Sequence, residues 1–345
     1  MVSKGSGFKK KAAFLSVLVA ALALAYILTF VFDPQRQSRG SFSWLDLGAA
    51  ALADSIEING SNGKTVLNLR NKLWVFTAGT ALYPVKQGRV DDLLAVLSRR
   101  DLYPLRSVSQ EGRDRLGFAE GKSSRIVIRG GAGLPLLDLL IGTGDVLGRD
   151  VYLKRADQDE IYSGEDRFTI FTDSKPNAWY DLRLFPADNQ SAPGRGGAAA
   201  PAASGAYSIN AGQVQEAEIS LPRSNGEGGA PAPQGTFVLR RDSRGWIIPG
   251  NEGAALDTTK VESWLRAVLE AEGEDFSSEA PAAVDGHITL RLGDGTVRTI
   301  QAGPADSDKR RNITVSGSKL VYVFSEWPFS RLFREQTYFL KAANR

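Results

Sequence analysis

The sequence predicts an α+β fold: two related copies of a mainly antiparallel sheet, each with a packed helix, preceded by one transmembrane helix. Three observations predict it. Leu69–Phe76, with Trp74, has a counterpart in Leu239–Ile248, with Trp246. Val90–Leu97 matches Val261–Val268, and the spacing from Trp74 to Trp246 equals that from Val90 to Val261 to within one residue. Two features at one offset point to an internal repeat, which decides architecture before local detail does. The third observation is an uncharged run, Ala12–Phe32, ahead of both copies.

That run contains only Ser16 and Thr29 as polar residues and spans about 30 Å as a helix, the thickness of a bilayer's hydrocarbon core. Lys4, Lys9, Lys10 and Lys11 precede it. The positive-inside rule then keeps residues 1–11 in the cytoplasm and puts everything after the span outside. Tyr26, Phe30 and Phe32 sit towards the outer end, where aromatic rings favour the interface. A cleaved signal peptide is the competing reading, since Ala21-Leu22-Ala23 and Ala23-Leu24-Ala25 have the small-x-small form. The apolar run continues through Tyr26–Phe32, beyond where cleavage belongs, which favours an uncleaved anchor.

Residues 33–51 form a polar juxtamembrane segment ending in Phe42, Trp44 and Leu45. The first copy follows over 52–187. Ser55–Ile58 alternates as a strand does, Asn59-Gly60-Ser61-Asn62-Gly63 is turn chemistry, and Thr65–Leu69 and Leu73–Phe76 complete a meander. Val90, Leu93, Leu94 and Leu97 form the apolar stripe of a helix. Strands are expected at Arg125–Ile128, Leu136–Ile141, Asp150–Leu153, Ile161–Ser163 and Phe168–Phe171, with Trp179–Phe185 as a closing segment. Residues 188–206, rich in Ala, Pro, Gly and Ser, read as a linker.

The second copy covers 207–341. A tract at 224–235 reads as a long loop, and Thr259–Glu262 fits a capping box ahead of the stripe Val261, Trp264, Leu265, Val268 and Leu269. His287–Leu292 alternates, Asp294-Gly295 is a hairpin turn, and Asn312–Val315 and Leu320–Phe324 follow. Trp327–Phe333 echoes Trp179–Phe185.

Composition narrows the chemistry. The 345 residues hold no cysteine and one histidine, which removes disulfides, thiolate nucleophiles and the usual zinc and Ser-His-Asp constellations. A net charge of +3 with scattered basic residues argues against nucleic acid, and runs such as Arg99-Arg100 and Lys309-Arg310-Arg311 read as solvated. Gly142-Thr143-Gly144-Asp145-Val146-Leu147-Gly148 is spaced GxGxxxG with a strand expected after it, so it reads as a turn rather than a phosphate loop. His287 has no evident triad partner, and Asp157–Glu160 reads as a solvated hairpin tip rather than a calcium loop. Glu270, Glu272, Glu274 and Asp275 read as an exposed helix end, with a docking patch for a basic partner as the minority alternative. Trp74, Trp179, Trp246, Trp264 and Trp327 read as core, a sugar or peptide platform being the alternative. No catalytic, cofactor-binding or metal residue is assigned, no cofactor is expected, and an enzyme is not the favoured reading.

The basic N-terminus, the single span, the Trp strands, the Val-x-x-Leu-Leu helix, Leu116-Gly117-Phe118, and Leu140-Ile141-Gly142 with Val151-Tyr152 beyond it together resemble the bacterial DUF4340 proteins over about residues 50–340. That family carries no assigned reaction. The resemblance implies an accessory role in an ABC-type transport or gliding-type envelope complex. The expectation is therefore a single-pass protein of the bacterial inner membrane, held in the bilayer by residues 12–32, with a periplasmic body. It would act as a binding or scaffolding subunit on an ABC-type permease or its auxiliary subunits. The alternatives are a module gripping a ligand between the two repeats and, further off, a carboxylate-dependent envelope hydrolase.

Overall fold

A computed structural model describes Leu22 and residues 41–187, 208–222, 235–243, 245–251 and 253–341. The expected anchor (apart from Leu22), the linker at 188–206 and most of the 224–235 tract lie outside the described residues. Among the described residues no helix is long and apolar enough to cross a membrane.

The chain opens with β1 (Ser41–Phe42) and a helix, Leu47–Leu52, capped by the Asp46 carboxylate, which accepts from Gly48 N at 2.7 Å. A meander follows: β2 (Ala53–Gly60), β3 (Gly63–Arg70), β4 (Leu73–Ala78) and β5 (Ala81–Pro84). The β3–β4 turn places Asn71 and Lys72 at φ 50° and 69°, the pair of positive angles that a two-residue hairpin needs to match strand twist. The helix Gln87–Ser98 buries Val90, Leu93, Leu94 and Leu97, as its stripe predicts. Then come β6 (Asp101–Leu102), β7 (Leu105–Ser107), the helix Gln110–Arg115, β8 (Ser124–Gly130), β9 (Pro135–Gly144), β10 (Asp150–Arg155) and β11 (Ile161–Glu165).

The second half runs through β12 (Val214–Ser220), β13 (Thr236–Asp242), β14 (Gly245–Ile247), the helix Thr258–Leu269, β15 (Asp275–Ser277), β16 (Gly286–Leu292), β17 (Val297–Ala305), β18 (Arg311–Val315) and β19 (Val321–Phe324). It ends in the helix Glu326–Leu332.

The first sheet has the order β5-β4-β3-β2-β8-β9-β10-β11-β7, and the second β14-β13-β12-β16-β17-β18-β19-β15. Apart from β5 the two orders correspond strand for strand, and in each the long helix follows the meander, which fits an internal repeat. The sheets are mostly antiparallel and carry few helices, so the fold is α+β.

Two compact units divide the chain. One joins residues up to Thr65 with Asp92–Ser174, the other joins Val66–Asp91 with residues from Lys175 onward. In the first, Ile56, Ile58, Ile126, Ile128, Leu139 and Leu153 form alternating inward faces and are fully buried. In the second, the inward residues of β12, β13 and β16 to β19 share a core with Val261, Trp264, Leu265 and Val268.

The structure corrects three local expectations. Phe168–Phe171 is not a strand; Thr169–Phe171 is a 3₁₀ turn, held by Thr169 Oγ1 donating to the Asp166 carboxylate at 2.5 Å. Thr259 is not the helix cap. Asp257 is, because its carboxylate reaches the N–H of both Thr259 (3.0 Å) and Lys260 (3.2 Å). Glu262 instead takes hydrogen bonds from Arg241 and from the Trp246 indole. Trp327 is not core: it is 71% exposed on a helix, whereas Trp179, its proposed echo, is fully buried in a bridged segment.

Candidate functional site

The segment after the expected anchor is built into the first unit. β1 pairs with β6 through Ser41↔Leu102 and Phe42↔Asp101, and Arg100 Nε donates to the Ser41 carbonyl at 2.8 Å. Trp44 and Leu45 are each 1% exposed. Leu45 N donates to the Leu97 carbonyl at 2.9 Å. Phe42, Trp44, Tyr103 and Tyr162 form a cluster with ring centroids 4.9–5.8 Å apart, mostly edge to face, the geometry aromatic quadrupoles favour. Burial pushes the hydroxyls of Tyr103 and Tyr162 above the ordinary tyrosine range, so both stay neutral at physiological pH.

Beside this cluster lies a small groove of about 190 Å³ in the same unit. The 99–104 segment, the start of β10, the end of β11 and the turn after β11 form its walls. Its floor is apolar: Tyr103 and Phe168 are buried, and Gly164 lets the Tyr103 ring lie against β11, since a Cβ there would come within 3.0 Å of that ring. Its rim carries both signs of charge. Arg99 faces Asp101 at 3.8 Å and Arg167 pairs with Glu165, while Arg106, outside the groove, reaches Asp150 at 3.7 Å and donates to Ser163 Oγ at 2.9 Å.

The residues weighed in the sequence take other places. Gly142–Gly148 runs from the end of β9 into the turn before β10. Asp145 Oδ1 accepts from the N–H of Arg149 (2.7 Å) and Asp150 (3.2 Å), so it is a strand-to-strand turn. Backbone hydrogen bonds, chiefly from Asp150, hold the Asp145 carboxyl below the usual range. His287 sits on β16 with Nε2 3.3 Å from Glu218 on the adjacent β12. Asp159 pairs with Arg113 at the β10–β11 turn. Glu272 meets Lys86 at 3.5 Å, and Glu274 accepts from Ser325 Oγ.

Exposed Trp327 has the Arg331 guanidinium 5.1 Å from its ring centroid. Farther along the same C-terminal stretch, Arg334 and Lys260 flank the Tyr338 ring at 5.0 and 5.7 Å. The sequence did not single out the groove, because its charges come from three separated segments and share no spacing.

Two large, mostly antiparallel sheets accompanied by a few helices define the class as α+β. A family model described as "Domain of unknown function (DUF4340)" matches residues 74–291, more than half of the chain, and the chain belongs to this family. No curated protein and no solved structure matches it.

Proposed function

We propose that this DUF4340 protein is a single-pass, membrane-anchored binding or scaffolding subunit whose body lies outside the bacterial inner membrane and works by contact with membrane partners, an ABC-type permease or its auxiliary subunits. The observation that carries the reading is the uncharged run Ala12–Phe32 behind four lysines. Its coupling to the body supports it. Residues 33–40 span at most about 28 Å when fully extended, and from Ser41 on the chain is stitched into the first unit by β1–β6 pairing and by buried Trp44 and Leu45. Such a short tether keeps the body near the bilayer. Exposed Trp327 with Arg331 beside it brings together two residue types that are enriched at the energetic centres of protein interfaces.

The absence of cysteine from the chain makes the test clean. Single-cysteine variants Ser3→Cys and Ser307→Cys are exposed to a membrane-impermeant maleimide on spheroplasts. Ser307→Cys is expected to label at once and Ser3→Cys only after lysis; the reverse pattern overturns the topology. Deleting Met1–Phe32 with an export signal supplied should abolish function and the co-purification of the permease. Full activity from that form overturns the scaffold reading.

A further inference from the structure

We infer that the groove of the first unit is a binding site for a zwitterionic phosphoethanolamine headgroup, an assignment that rests on the reading of residues 12–32 as the anchor. Size comes first. A volume of about 190 Å³ is below the ~300 Å³ at which pockets for drug-sized ligands begin, and suits a small polar group.

Charge comes second. Arg99 and Arg167 line the groove together with Asp101, Asp150 and Glu165, so a simple anion would sit beside carboxylates and a simple cation beside guanidiniums. A ligand carrying both signs satisfies both sets: a phosphate takes paired N–H donors from Arg99 and Arg167, and an ammonium takes Asp150 and Glu165. The resident ion pairs yield readily. The Arg99–Asp101 side chains are 56% and 32% exposed, and solvent-exposed pairs of that kind hold each other weakly.

Position comes third. Leu102 lines the groove and is the strand partner of Ser41, the first residue of the segment leading back to the anchor. The groove therefore lies one strand spacing from the tether, within reach of the outer leaflet. Leu102 is itself 59% exposed, an apolar side chain at the rim where the acyl chains of a lipid would leave its headgroup.

The test uses the full chain in nanodiscs of equal phosphatidylethanolamine and phosphatidylglycerol, with retained lipid counted by native mass spectrometry. Phosphatidylethanolamine should be retained at least fivefold over phosphatidylglycerol. Arg167→Gln and Asp150→Asn should each cut that retention at least fivefold while the far-UV circular dichroism and Tm stay at wild-type values. Equal retention of the two lipids, or undiminished retention by the well-folded variants, overturns the proposal. Calorimetry of the detergent-solubilised full chain with glycerophosphoethanolamine separates the site from the anchor. Binding there supports the groove even if the maleimide labelling overturns the topology, and no binding overturns the groove. Equal binding of a glycylglycine zwitterion would reassign it to a peptide terminus.

Discussion

Arg155 Nη2 donates to the backbone carbonyl of Trp44 at 2.5 Å, across 111 residues of sequence. This bond ties the end of β10 to the segment that opens the described body, and it adds to the burial of the Trp44 ring among Phe42, Tyr103 and Tyr162. The segment from Ser41 to Leu45 is therefore fixed in the first unit.

Trp44→Ala should destabilise that unit by about 3–5 kcal/mol, the range for removing a large buried ring, and Arg155→Met by about 1–3 kcal/mol, because it leaves a carbonyl unpaired. Guanidinium unfolding of the full chain in detergent measures both. Limited proteolysis should find new cleavage between residues 41 and 52 in each variant. An unchanged digest would mean that the segment is held without these contacts.

Glu57 gives a pH prediction. Burial alone would raise its pKa, but hydrogen bonds from Asn59, Lys64 (2.9 Å) and Arg129 (3.1 Å) outweigh it and bring the value down from 4.5 to about 2. A carboxyl lowered by folding contributes stability that is fully present above the unfolded value of 4.5 and is lost as pH falls towards 2. Acid titration of the wild type should therefore show a loss between those limits, and Glu57→Gln should flatten that part of the curve. An identical acid limb in the variant would sink the assignment.

Cap chemistry separates two candidates at one helix. Asp257→Ala should cost about 1 kcal/mol because two N–H groups lose their acceptor. Thr259→Ala, exposed and outside the cap, should stay within about 0.5 kcal/mol. The reverse order in urea unfolding would restore the capping box expected from the sequence.

The long elements were legible because their burial is periodic. Val261, Trp264, Leu265 and Val268 recur at helical spacing, and the alternation of His287–Leu292 survives as the buried and half-buried faces of β16. The edge strands β5, β6, β7 and β15, of two to four residues, are too short to show any period. Phe168 and Phe171 looked like strand residues because they are apolar, but they are buried by a turn. Trp327 looked like core for the same reason, and only its place on the outer side of a helix reveals otherwise. The groove was illegible in principle. Asp101, Asp150 and Arg167 are far apart in sequence and line one groove only in the folded unit.

Gly117 marks a backbone requirement. Its φ is +89°, and a Cβ there would lie 2.5 Å from Thr143 N, which donates to the Leu116 carbonyl at 3.1 Å. Gly117→Ala should cost on the order of 2–3 kcal/mol through strain at positive φ together with the clash. Hydrogen exchange at the Thr143 amide should speed up. Wild-type stability would show that the 116–118 turn has another accessible conformation.

The last prediction tests contact as the mode of action. Trp327 is exposed, so Trp327→Ala removes little buried area and should change stability by no more than about 0.5 kcal/mol. A ring of that size, with Arg331 stacked on it, would lose at least about 2 kcal/mol of binding if it were the centre of an interface, a fall of roughly thirtyfold in affinity. The variant should therefore reach wild-type levels in the membrane, keep its fold by circular dichroism, and fail to retain the permease on gentle detergent extraction. Trp327→Phe should restore part of the binding, because an aromatic face is kept while the indole N–H and part of the ring area are lost. If Trp327→Ala retains the permease as the wild type does, the partner surface lies elsewhere on the body.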